Sequence, residues 1–128
     1  MRCLDSTFLI DLLKGDEAAA AKMREMEGLG EPVSLPTPCL TEILVGAHFK
    51  GGDLLRATLD VVARLDLIHV DAAVAGEAGR LGADLLRRGH SLPTTDLLIA
   101  ATARLHGQIL VTRDEDFARI PGLAVEGY

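Results

Sequence analysis

The sequence predicts an α/β protein: a three-layer α/β/α sandwich on a central parallel sheet, strand order 3-2-1-4-5. Three observations lead there. Five short apolar runs, residues 2–4, 33–35, 67–70, 109–111 and 123–125, alternate with longer stretches of helical period. Every gap between successive strands except the last holds at least one full helix, as a crossover between parallel strands requires. Right-handed crossovers then permit the first strand at the centre with the fourth beside it. A length of 128 residues suits one domain covering 1–128.

The first strand ends at Asp5. Ser6 or Thr7 is the expected cap of a helix over 8–14, which Gly15 stops. Asp16 caps a second helix ending at Gly28, with Ala19, Met23 and Met26 on one face. After the second strand, Thr37 is the expected cap of a helix with Pro38 at its first position, where a missing N–H costs nothing. Glu42 interrupts a nearly unbroken apolar run in that helix. Gly51 and Gly52 break the chain, and Asp53 is the expected cap of a helix with Leu55, Leu59 and Val62 as its buried stripe.

Beyond the third strand, Asp71 opens a long helix to Gly89, with Val74, Ala78, Leu81 and Leu85 facing inward. Gly76, Gly79 and Gly82 recur every three residues, a spacing that admits another backbone. Arg80, Arg87 and Arg88 suit the helix dipole and the carboxylates of Glu77 and Asp84. Thr94 or Thr95 is the expected cap of a helix over 96–106. It is apolar on nearly every side and therefore mostly buried. The fourth strand leads into Thr112, Arg113 and Asp114, then a short helical turn before Pro121 and the last strand.

Composition narrows the function. A net charge of −6 excludes gripping nucleic acid by bulk charge. Aromatic residues make up 3% of the chain, so only Phe8, Phe49, Phe117 and Tyr128 are available to stack on bases. Cys3 and Cys39 sit among apolar residues, without a Cys-x-x-Cys spacing, and read as small buried hydrophobes. No apolar run reaches the length of a membrane span, and no leader precedes the first strand. A cytoplasmic protein is expected.

The chemistry lies in the acids. Asp5 and Asp114 follow the strands that flank the switch point of the 3-2-1-4-5 order, where α/β folds place their ligands. Glu42 and Asp96 lie near the starts of helices that can lean over the same edge. Taken singly, Glu42 also reads as a solvated helix residue and Asp96 as a dipole-stabilising one. Taken together, four carboxylates need a cation between them. Hard oxygen ligands suit Mg²⁺ or Mn²⁺, and paired ions of that kind hydrolyse phosphodiesters. Asp11, on the first helix, reads as solvated.

Four runs in order, LDSTFLIDLL, PCLTEILVGA, LPTTDLLIAATARLHG and LVTRDEDFARI, resemble the PIN-domain ribonucleases, and within them the VapC-type toxins of toxin–antitoxin pairs. The resemblance covers nearly the whole chain. It implies that Asp5, Glu42, Asp96 and Asp114 hold Mg²⁺ or Mn²⁺ and are the catalytic acids. Ser6 and Thr112 match supporting hydroxyl positions, and Asp116 a frequent acidic one. Many relatives carry Asn where this chain has Asp114. The resemblance further implies RNA cleavage by a metal-activated water, a homodimer, and a VapB-type antitoxin whose C-terminal segment crosses the site. Lys14, Lys50, Arg56, Arg87, Arg88 and Arg113 are the cations available to guide RNA.

Other readings fit less well. A haloacid-dehalogenase-type phosphatase, the metal-dependent phosphatase alternative, needs a second Asp where Thr7 stands. A response-regulator receiver needs a Lys after its last strand. A catalytically inactive PIN-like binding scaffold has no need of four intact acids. The four histidines lack metal-ligand spacing, and Ser6 has no partners for a hydrolase triad.

Overall fold

The computed structural model describes residues 1–128. In chain order the elements are β1 (Arg2–Leu4), α1 (Ser6–Leu13), α2 (Glu17–Gly28), β2 (Val33–Pro36), α3 (Thr37–Lys50), α4 (Gly52–Val62), β3 (Asp66–Ile68), α5 (Ala72–Arg87), α6 (Thr94–Leu105) and β4 (Ile109–Val111). A 3₁₀ turn (Glu115–Arg119) and β5 (Val125–Glu126) complete the chain. The sheet is parallel throughout, in the order β3-β2-β1-β4-β5. This is the predicted α/β/α topology. The chain steps one way from β1 to β3 and then back to β4, so right-handed crossovers put α1–α4 on one face and α5–α6 on the other.

β1 is the central strand. Cys3 lies between Ser34 and Leu110, and Leu4 pairs with Val111. Both faces of such a strand are covered, which is why it reads as a short apolar run instead of an alternation. Cys3, Leu4, Leu35 and Leu110 are fully buried with Phe8, Leu9 and Ile99. Each such aliphatic side chain stabilises the fold by roughly 1.5–3 kcal/mol. Cys3 and Cys39 are free and buried. Burial, with the charge of Asp5 behind it, pushes the Cys3 thiol up to about 12, so it stays an uncharged packing group.

Several local expectations give way to tertiary structure. The cap of α1 is Asp5 itself, whose side chain accepts from the Ser6 N–H; Ser6 and Thr7 lie inside the helix. Thr37, Asp53, Thr94 and Thr95 do not cap their helices either. Pro36, Gly51 and Pro93 take the cap positions. The two prolines enter their helices with ψ of 138° and 149°, which sets the extended entry without a side-chain bond. Thr37 instead accepts from the Val70 N–H. Gly51, at φ 66° and ψ −161°, turns α3 directly into α4, a conformation essentially confined to glycine.

On α4, Leu59 is 48% exposed while Thr58 is buried. The Thr58 hydroxyl donates to the Leu54 carbonyl, so the side chain packs as a small apolar body. β3 is shorter than expected and begins at Asp66. The pairing of Leu110 with Val125 and Val111 with Glu126 places β5 two residues later than the apolar run suggests. Of the three glycines on α5, only Gly82 is closely approached: a Cβ there would meet Leu97 of α6 at 2.9 Å. Nothing lies near Gly76 or Gly79. No helix is long and apolar enough to cross a membrane.

Candidate metal centre

The site is built at the carboxyl ends of β1 and β4. The Asp5 N–H donates to the Val111 carbonyl, which continues the β1–β4 ladder by one bond and sets Asp5 beside Thr112. The Thr112 hydroxyl donates to Asp5 Oδ2 at 2.8 Å and accepts from the Asp114 N–H at 3.0 Å. On the other side, Asp5 Oδ1 accepts from the Ser6 N–H at 2.8 Å. The Ser6 hydroxyl donates to Glu42 Oε1 at 2.9 Å and stands 3.4 Å from Asp5 Oδ1. One hydroxyl has one proton, and the shorter contact takes it. Asp114 Oδ1 accepts from the Asp116 N–H. A continuous hydrogen-bonded chain therefore runs Glu42–Ser6–Asp5–Thr112–Asp114–Asp116.

Exposure is graded along this chain. Asp5, Ser6 and Thr112 are buried, whereas Glu42, Asp114 and Asp116 are exposed. Asp96, in the first turn of α6, joins through the electric field instead of through a hydrogen bond. Burial, and then the charges of Asp5, Asp114, Glu42 and Asp116, raise its carboxyl to about 6. Burial also raises the Asp5 carboxyl. The bonds from Thr112 and Ser6 oppose that rise, and the charges of Glu42 and Asp114 add to it.

No Lys or Arg forms an ion pair with Asp5, Glu42, Asp96 or Asp114, and Asp116 has only Arg119, at 3.7 Å. Four carboxylates around the buried Asp5, with so little compensation from the protein, form a donor set suited to a hard divalent cation. The side chains do not converge into a group of three at ligand distance.

The Asp96 shift has a measurable consequence. A carboxyl with a higher pKa when folded holds its proton longer in the native state, so stability falls as pH rises between its ordinary 3.8 and about 6. Metal-free protein should melt a few degrees lower at the top of that window than at the bottom, with Asp96→Asn flattening the slope. A melting profile that Asp96→Asn leaves unchanged would refute the assignment.

One sequence expectation is corrected nearby. Asp11 is not solvated: it accepts from the Tyr128 hydroxyl at 2.7 Å and from Arg113. Of the cations available to guide RNA, Arg56 and Arg87 are tied to Asp53 and Asp84, and Arg113 to Asp11 and Asp16. Lys14, Lys50 and Arg88 have no carboxylate partner. Lys14 and Lys50 line a groove of about 470 Å³ that reaches Glu42. Sequence reasoning missed the bonding between Asp11, Asp16, Arg113 and Tyr128, which links residues up to 117 positions apart and leaves no local signal.

A parallel α/β sheet with acids at its switch point defines a class of folds that bind their ligands at the carboxyl edge of the sheet. Within that class, the family model described as "PIN domain" matches residues 2–123. The chain is 30% identical to the tRNA(fMet)-specific endonuclease VapC of Shigella flexneri, over 98% of this chain and 96% of the relative. It is also 30% identical to ribonuclease VapC19 of Mycobacterium tuberculosis, over 96% and 97%. The crystal structure of DNA-bound VapBC from Salmonella typhimurium superposes with a TM-score of 0.82 at 27% identity, over 99% of this chain and 98% of that one. The chain belongs to the PIN-domain family, in its VapC branch.

Proposed function

We propose that this protein is a Mg²⁺- or Mn²⁺-dependent endoribonuclease, the toxin of a type II toxin–antitoxin pair, acting as a single PIN-like unit over 1–128. The observation that carries the reading is the hydrogen-bonded acid chain from Glu42 to Asp116, joined by Asp96, in which only Asp116 has a cationic partner. Asp5, Glu42, Asp96 and Asp114 would hold the metal, and Asp116 borders them. A bound divalent cation supplies a water of lowered pKa and stabilises charge on a phosphodiester.

The protein's own part is to hold the acids in place. Ser6 fixes the rotamer of Glu42, and Thr112 keeps one Asp5 oxygen occupied while its backbone neighbour Asp114 is tied to the same hydroxyl. The buried position of Asp5 gives the site a low-dielectric floor, where charge interactions are strong. One of Asp5, Glu42, Asp96 and Asp114 would take the proton of the attacking water.

A VapB-type antitoxin and a second copy of the chain belong to the same reading, as does a cytoplasmic location. The groove beside Glu42 supports an inhibitory partner. Ile10, Leu13, Ile43 and Leu54 line it, and Phe49 at its rim is 90% exposed. A segment with an apolar face would cover that surface and bring a basic side chain to the acids.

The test is RNA cleavage by protein freed of antitoxin. Cleavage should require Mg²⁺ or Mn²⁺ and stop in EDTA. Initiator transfer RNA is the first substrate to try, because the Shigella relative is named for it. Undiminished cleavage in EDTA would overturn the metal mechanism.

A further inference from the structure

Arg113 stands between Thr112 and Asp114, yet its side chain takes no part in the acid cluster. Its Nη1 donates to Asp11 on α1 at 3.4 Å, and its Nη2 to Asp16, the cap of α2, at 2.8 Å. Nε donates to the Tyr128 carbonyl at 3.4 Å, and the guanidinium lies 4.3 Å from the centroid of the Tyr128 ring. Tyr128 donates its hydroxyl to Asp11. Its ring meets buried Phe8 edge-on, with centroids 4.8 Å apart. Phe8 lies in the same helix that Asp5 caps.

The direction of these contacts matters. Arg113 stands at a bend that follows β4, where the Asp114 N–H closes back on the Thr112 hydroxyl. With the Arg113 side chain bound to Asp11 and Asp16, the same bend holds the Thr112 hydroxyl on Asp5 and the Asp114 N–H on that hydroxyl. Arg suits this task because one planar guanidinium serves three acceptors and stacks on an aromatic face at once. Three of its five N–H donors are thereby engaged within the protein.

We propose that Arg113 is a positioning residue for the acid cluster: its grip on Asp11, Asp16 and Tyr128 holds Thr112 and Asp114 against Asp5 and so sets the affinity for a divalent cation. This rests on the metal-dependent reading above. Tyr128 acts through Arg113 and Asp11, extending the control to the segment after β5.

The experiment is calorimetric titration of the full chain with Mn²⁺, beside melting curves and RNA binding in EDTA. Arg113→Ala should weaken Mn²⁺ binding by about 10-fold or more, the usual effect of removing support behind a metal ligand. Its circular dichroism and RNA affinity in EDTA should stay near those of the unaltered protein. Arg113→Lys should recover part of the loss. Tyr128→Phe keeps the ring on Phe8 but loses the bond to Asp11, and should weaken Mn²⁺ binding several-fold. Should Arg113→Ala fail to fold, the last two variants decide. Unchanged Mn²⁺ affinity with a lowered melting point would overturn the proposal and leave a purely structural clasp. Weaker RNA binding at unchanged Mn²⁺ affinity would overturn it in favour of a phosphate contact. If the unaltered protein binds Mn²⁺ and cleaves RNA while the variants bind it equally well, only this proposal falls. If it binds no Mn²⁺, the metal reading falls as well.

Discussion

Asp5→Asn is expected to lower the rate of RNA cleavage by about 10²- to 10³-fold or more, the scale seen when one preorganised electrostatic group is lost, while leaving the fold at least as stable. The two halves have one cause. Asp5 is the buried acid on which the chain of Ser6, Thr112 and Asp114 converges, and its charge is costly to bury. Asparagine removes that charge and is as good a helix cap as aspartate. Its carbonyl can accept from the Ser6 N–H. Its amide can donate to the Thr112 oxygen, whose proton then turns elsewhere. Asp5→Ala behaves differently, because it strands two buried donors and should cost about 1–3 kcal/mol of stability. Cleavage assays paired with thermal melts separate the effects. Near-normal cleavage by Asp5→Asn would remove Asp5 from the mechanism.

Phe8→Ala should have the largest effect on stability, about 3–5 kcal/mol. Phe8 is fully buried, sits one turn into the helix that Asp5 caps, and carries the Tyr128 ring on its edge. The loss includes roughly 0.5–1.5 kcal/mol for that aromatic pair. Against a typical total of about 5–15 kcal/mol, the variant should be close to unfolding at physiological temperature. Urea denaturation measures this directly. A shift below about 1 kcal/mol would mean that the core repacks around the hole. Phe8→Leu should retain most of the stability because it fills most of the volume.

The two variants show where the sequence is legible and where it is not. The strand order could be read because handedness leaves few ways to connect five short apolar runs, and residues such as Leu4 and Val111 are apolar in the manner of strands covered on both faces. Helix α5 could be read from Val74, Ala78, Leu81 and Leu85, whose period survives folding intact. Caps were less legible. Thr37 and Thr94 look like caps by type, but a preceding proline already fixes the entry, and Thr37 is left to bond elsewhere. Asp5 was read as a site residue and not as a cap, although one carboxylate serves both roles through its two oxygens. Thr58 and Leu59 exchange places because a hydroxyl satisfied within its own helix can be buried at little cost. The acids were visible as acids at strand ends and helix starts, whereas the hydroxyls that thread them depend on side-chain rotamers. Asp11 looked idle because its partners, Arg113 and Tyr128, come from the far end of the chain.

The pairing of Leu4 with Val111 also governs when the protein acquires its site during synthesis. The central strand finds its first neighbour early, since β2 follows within about thirty residues, but its other neighbour is β4. Asp5 cannot meet Thr112 or Asp114 until about a hundred further residues have been translated. At roughly 5–20 residues per second, the acids at residues 5 and 42 exist for seconds before those at 96 and 114. Non-local pairing of this kind also slows folding after release. A ribosome making this chain therefore carries an incomplete acid cluster until β4 and the residues that follow it have been made, and only then can the hydrogen-bonded chain from Glu42 to Asp116 close.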